Sequence, residues 1–157
     1  PIGYTNIWFY INFCIYFKMI CDYEELNYLD EENNRSIKLC RPLLTVNLIK
    51  RGFKLFPLEC LLDSGADNII FPIDAAKYFR INYNVGKLVY FEVAGGSITP
   101  FYELDYKQHG IDIFVNDVRI REKICFSEGQ RDILLGQDFF KNFVIRFDRK
   151  NKKFHLN

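Results

Sequence analysis

Histidine is nearly missing from this chain: His109 and His155 are the only two in 157 residues, and neither stands at ligand spacing from a cysteine or from the other. A zinc centre gathers three or four such donors, so no metal is expected and no metal ligands are assigned. The five cysteines, Cys14, Cys21, Cys40, Cys60 and Cys125, are odd in number and scattered, without the paired spacing of a disulfide framework. That usage suits a reducing, cytoplasmic setting. Charge of one sign is lacking too. The formal net charge is +1, with acids and bases interspersed, so no field would gather nucleic acid or an anionic membrane from a distance.

No apolar run reaches the roughly 20 residues that a membrane-spanning helix needs. The nearest is Ile7-Trp8-Phe9-Tyr10-Ile11-Asn12-Phe13-Cys14-Ile15-Tyr16-Phe17, which also lacks the basic start and small-residue cleavage site of a signal peptide. The chain opens on Pro1 and its one methionine is Met19. Residues 1–18 therefore read as an extra packed strand or as translated sequence upstream of the true start. A membrane anchor is the alternative, which leaves membrane contact open. Internal repeats and low-complexity tracts are absent.

Apolar material is plentiful, at 49% hydrophobic and 17% aromatic residues, enough to fill the core of one domain of this length. Residues 1–35 read as an N-terminal extension and 36–157 as the domain. Within the extension, residues 22–35 carry Glu24, Glu25, Asp30, Glu31 and Glu32 without an apolar period and are expected to be a solvated connection, not an acid/base pair. From Arg41 onward, short runs of Val, Ile, Leu, Phe and Tyr alternate with Gly, Pro, Asn and Asp, the pattern of strands and turns. Strands are expected at 43–49, 53–62, 68–71, 88–93, 101–106, 111–115, 118–126, 143–147 and 153–156. So many short strands favour a mainly β, closed barrel or sandwich. Two short helices interrupt them. One follows Pro72, with Ile73, Ala76 and Phe79 on one face; the other spans 138–143, with Asp138 capping its start.

The chemistry concentrates in Leu61-Leu62-Asp63-Ser64-Gly65-Ala66-Asp67, where an apolar strand ends in an acid, a hydroxyl and a glycine. Gly65 permits a tight turn and close backbone approach, and nearby N–H groups can hydrogen-bond the carboxylate. Asp, Ser and Gly also make ordinary strand-ending turns, so the tripeptide alone decides nothing. Two further segments add weight. Ile133-Leu134-Leu135-Gly136 is an apolar run closed by glycine, before the second helix and a hairpin beginning at Val144. Phe91 to Phe101 is a hairpin candidate with Gly95-Gly96 at its tip.

The order of these three motifs resembles the retropepsin family, the retroviral-type aspartic peptidases and their single-domain cellular and bacterial relatives. The resemblance spans roughly residues 42–156. It implies a closed acid-protease β-barrel with a flap hairpin, a C-terminal helix and no cofactor, in an enzyme that hydrolyses protein or peptide substrates. Asp63 would be the catalytic residue, with Ser64 and Gly65 supporting its loop. Ala66, Asp67, Gly95, Gly96 and Ser97 would contact substrate, and Gly136, Gln137 and Asp138 would be structural. Ser64 has no base partner that would make it a nucleophile.

The family's chemistry uses two carboxylates that share a proton. With one Asp-Ser-Gly and no repeat, a homodimer would have to supply the second. Ala66 stands where pepsin-type relatives often have a hydroxyl donor, which predicts activity at mildly acidic to neutral pH. Retroviral members usually carry Arg after Leu-Gly to brace the acid that follows the active-site Ala; this chain has Gln137 there, opposite Asp67. Two alternatives remain: a non-catalytic peptide-binding or scaffold domain on the same fold, and an unrelated β-barrel with a coincidental turn. Ile70, Ile98 and the nearby Leu and Phe residues suggest apolar subsites.

Overall fold

A computed structural model describes residues 19–30, 33–50, 53–93 and 95–157. The apolar segment 7–17 lies outside the described residues, so the readings made for residues 1–18 rest on sequence alone. Among the described residues, no helix is long and apolar enough to cross a membrane.

The chain is mainly β, as expected. Strands β1 (Met19–Asp22), β2 (Glu24–Asp30) and β3 (Arg35–Arg41) precede β4 (Leu43–Lys50), β5 (Phe53–Leu62) and β6 (Ile69–Pro72). Helix α1 (Ile73–Tyr78) leads through a 3-10 turn to β7 (Lys87–Glu92) and β8 (Ile98–Leu104). Then come α2 (Tyr106–His109), β9 (Ile111–Val115), β10 (Val118–Ile120), β11 (Ile124–Ser127) and β12 (Leu134–Leu135). The chain closes with α3 (Gln137–Phe140), β13 (Ile145–Asp148) and β14 (Lys153–Leu156).

Nine strands form one sheet in the order β10-β9-β4-β5-β12-β6-β11-β8-β7. The expected closed barrel is not formed among the described residues, because β10 and β7 end this sheet without pairing with each other. The terminal strands instead make a separate sheet, β1-β14-β13.

Residues 22–35 also differ from expectation. Those whose burial is described are largely exposed, yet β2 pairs in register with β3 from Glu24 opposite Arg41 to Asp30 opposite Arg35. Cross-strand partners, among them an ion pair of Lys38 with Glu25 at 3.3 Å, give strand status to a segment with no local β signal. The single strand expected at 118–126 breaks into β10 and β11, because β10 pairs with β9 while β11 joins β6 and β8. The strand expected to run to residue 106 stops at Leu104, where Asp105 and Gln108 form a reciprocal capping box that starts α2.

The core gathers residues of the large sheet and its helices together with Phe154 and Leu156 of β14. Phe71 and Phe126 are fully buried and meet edge-on at 5.9 Å, each worth roughly 1.5–3 kcal/mol of burial. Ile73, Ala76 and Phe79 are buried together, as their helical spacing predicts. Helix α3 is a single turn. Its N-cap is Gly136, and the Asp138 side chain makes no cap but accepts from Lys141.

Candidate active site

Strand β5 carries Leu61 and Leu62 into the core and releases the chain at Asp63, which is half-buried. Position is fixed by pairing on both sides. The Leu62 N–H donates to Pro42 O at 3.0 Å, and the Asp63 N–H to Leu135 O at 3.1 Å. The Ala66 N–H donates to Asp63 O at 3.2 Å, closing a four-residue turn. Inside it the Gly65 N–H donates to Asp63 Oδ1 at 2.9 Å. The carboxylate is thus held by its own loop, as the turn chemistry predicts.

Strand β12 lies parallel to β5 and antiparallel to β6, which sets Gly136 directly against the loop. A Cβ on Gly136 would lie 2.5 Å from Asn68 O and closer still to Ala66 O, so glycine is required by close approach and not by a special dihedral angle. From there α3 clasps the loop. The Gln137 N–H donates to Ala66 O and the Asp138 N–H to Asp67 O, both at 2.9 Å. The Gln137 amide Nε2 donates to Ser64 O at 2.8 Å. Gln137 therefore braces the loop through a peptide carbonyl and not through the Asp67 side chain it was expected to face.

Above the loop, β7 and β8 form a hairpin. Its tip bends through Gly95 and Gly96, with φ of 96° and 80°, values that favour glycine. The Val93 N–H donates to Ser97 O, and the Gly96 N–H to Val93 O, both at 2.9 Å. Phe91 and Phe101 pack ring to ring at 5.1 Å on one face of this hairpin.

Between loop and hairpin lies a cleft of about 610 Å³. Asp63, Gly65, Ala66 and Asp67 contribute to it from the loop, and Phe91, Glu92, Val93 and Phe101 from the hairpin; Ile70 and Leu134 supply further apolar wall. The structure thus gathers four of the loop residues singled out in the sequence, Asp63, Gly65, Ala66 and Asp67, around one concavity, while Ser64 stands outside its lining. Gly95, Gly96 and Ser97 form the hairpin tip outside that lining. Ile98 is 73% exposed and also stands outside it.

Sequence reading missed Glu92 and Gln130 as lining residues and pointed to Phe91, Phe101 and Leu134 only collectively, as Leu and Phe residues of apolar subsites. Val89 and Phe91 alternate along β7, Val89 opposite Phe101 and Phe91 opposite Thr99 in the hairpin register, and this alternation was a usable signal for the two phenylalanines. Nothing local marks Gln130. A second groove, about 290 Å³, also reaches Asp63 and Ser64, together with Pro42, Phe147 and Arg149, so the acid loop borders open space beyond the cleft as well. No cluster of His, Cys, Asp and Glu that would hold a metal ion occurs among the described residues.

Neither a protein-family model nor a curated protein matches the sequence. Solved structures do. A retropepsin-like aspartic protease from Rickettsia conorii superposes with a TM-score of 0.53 at 14% identity, covering 89% of this chain and 92% of that one. EIAV protease in complex with an inhibitor matches with a TM-score of 0.45 at 19% identity, over 65% of this chain and 86% of its own. With the acid loop, the glycine behind it and the glycine-tipped hairpin arranged in one cleft, the chain has the retropepsin-like fold.

Proposed function

We propose that this chain is an aspartic endopeptidase whose working unit is a homodimer. The observation that carries the reading is Asp63: a carboxylate at the end of a buried strand, bonded by the Gly65 N–H at 2.9 Å, opening into a cleft roofed by a hairpin. A single chain supplies one such loop, and the chemistry needs two carboxylates. A two-fold axis between the loops of two protomers brings Asp63 against its twin, and the groove that reaches Asp63 and Ser64 outside the cleft leaves room for that approach.

Two neighbouring carboxylates share one proton, because like charges that close cannot both persist. The ionised member takes a proton from a water held between them, and the water attacks the peptide carbonyl. The protonated member gives its proton to the carbonyl oxygen, forming a tetrahedral gem-diol. The pair then returns a proton to the departing amine as the C–N bond breaks. The dyad titrates as a unit. Ala66 offers it no hydroxyl donor, so the pH-rate profile is expected to be broad across mildly acidic to neutral values. A profile confined to strongly acidic pH would refute that role for Ala66.

Incubating a proteome-derived peptide library with the purified chain and with Asp63→Asn, alongside sedimentation of both, tests the proposal. Cleavage by a dimeric parent, lost in a folded, dimeric variant, supports it. No cleavage by a stable dimer from acidic to neutral pH defeats it in favour of a peptide-binding domain.

A further inference from the structure

We propose that the β2–β3 ribbon is a clasp for a second copy of this chain, its apolar face covered by the twin protomer beside the two Asp63 loops. This rests on the homodimer reading above and deepens it by naming a contact surface outside the acid loops.

Among the described residues the ribbon forms a sheet of its own, and neither β2 nor β3 joins the other two sheets. A two-stranded ribbon is marginal in water unless one face packs against something. Its register sets Leu26 opposite Leu39, with Ile37 two residues along on the same face, while Glu25, Asn27, Leu29 and Lys38 alternate onto the other. Leu26 and Ile37 are only half-buried and Leu39 is 37% exposed. None of the three belongs to the hydrophobic core or packs against it. The face instead overhangs two open grooves. Leu26 lines one of about 200 Å³ with Leu43 and Leu61, and Leu39 lines one of about 330 Å³ with Leu61, Leu62 and Asp63.

Position and charge both assign the cover to a twin. The ribbon's roots, Tyr23 and Cys40, stand with Asp63 and Ser64 around the groove by which the second acid loop approaches. A two-fold axis at Asp63 therefore runs beside the place where the ribbon leaves the domain. Seven paired residues give the ribbon a reach on the order of 20 Å, enough to lie along a protomer docked there. Its first strand carries the exposed Glu24 and Glu25, and its second the exposed Arg35 and Lys38. Such a surface is complementary to itself, because about a two-fold axis running along the ribbon each acidic strand faces the twin's basic one. It lacks the one-signed field that would draw nucleic acid or an anionic membrane.

Sedimentation of the full chain over a dilution series, without peptide, gives the dimer dissociation constant and tests the clasp. Leu26→Ser combined with Leu39→Ser should raise that constant on the order of tenfold or more. Replacing residues 26–39 by an Asn-Gly turn between Glu25 and Cys40 should raise it at least as far. That trimmed chain keeps every residue of the hydrophobic core, so it serves if circular dichroism shows the serine pair to be unfolded. Leu29→Ser, on the opposite face, should leave the constant within about twofold.

A constant unchanged in both ribbon variants, or raised equally by Leu29→Ser, overturns the clasp and leaves the homodimer standing. A parent that stays monomeric at every concentration overturns both. Ribbon-dependent dimers that cleave no peptide keep the clasp and sink the peptidase. Variants that dimerise like the parent but lose kcat/KM on long peptides alone assign the apolar face to substrate and overturn the clasp.

Discussion

Replacing Gly136 by alanine should loosen the whole acid loop, although Gly136 itself stands outside the cleft lining. Real Cβ atoms stay at least 3.0 Å from backbone, and this one would meet Asn68 O at 2.5 Å and Ala66 O more closely, so the chains must separate by half an ångström or more. Both are tied down at this point. Ala66 O accepts from the Gln137 N–H and Asp67 O from the Asp138 N–H, and Ser64 O from the Gln137 amide. Straining or breaking these three bonds costs about 1 kcal/mol each, and forced overpacking adds about 1–3 kcal/mol, so a loss of about 4–6 kcal/mol is expected. In a domain of this size that is roughly a 10–20 °C fall in Tm. Gly65→Ala is the control, since its Cβ would meet only the Asp63 Oδ1 side-chain atom at 3.3 Å and should cost below about 1 kcal/mol. Thermal unfolding of the parent and both variants decides it. A Gly136→Ala Tm within about 2 °C of the parent, or one no lower than that of Gly65→Ala, would refute the close-approach argument.

Two further outcomes follow from buried groups. His109 is buried, accepts from the Ile111 N–H at Nδ1 and donates from Nε2 to Glu122 O, each at 2.9 Å; burial pushes its pKa below the ordinary 6.5. The folded chain therefore keeps it neutral while the unfolded chain takes a proton, so its contribution is full above pH 6.5 and declines as pH falls below that value. Urea midpoints should drop between neutral pH and about pH 5.5, and drop less in His109→Gln; parallel losses in both would clear His109 of the effect. Burial also pushes the Cys60 and Cys125 thiols up to about 12. In a Cys14→Ser background, an aromatic disulfide reagent at mildly alkaline pH should label native Cys21 and Cys40, which are half-buried, and spare the other two until denaturant is added. Equal labelling rates for all four would show the core to be open.

The site was more legible in the sequence than the sheet that carries it. Asp63-Ser64-Gly65, Leu134-Leu135-Gly136 and the Gly95-Gly96 hairpin are short, locally determined signals, and each occupies the turn or crossing its residues imply. The α1 face of Ile73, Ala76 and Phe79 was legible for the same reason, since a helix's contacts are close in sequence. The β2–β3 ribbon was not. Its strands hold together through partners such as Leu26 with Leu39 and Glu24 with Arg41, and its many charges resemble a solvated connection. The break near residues 121–123 was hidden because Val118–Ile120 and Ile124–Ser127 are both apolar, and only their different neighbours, β9 for one and β6 with β8 for the other, separate them. Closure of a barrel depends on the meeting of two edges, which no local pattern encodes.

Gln137 shows how one uncharged residue connects the loop's geometry with the cleft's chemistry. An arginine there would hold the loop through a charged fork on Asp67 and neutralise that acid in the same contact. The amide holds the loop instead through Ser64 O, while the α3 backbone and the bare Gly136 supply the rest of the clasp. The rigidity of the loop therefore rests on neutral hydrogen bonds, which salt screens little.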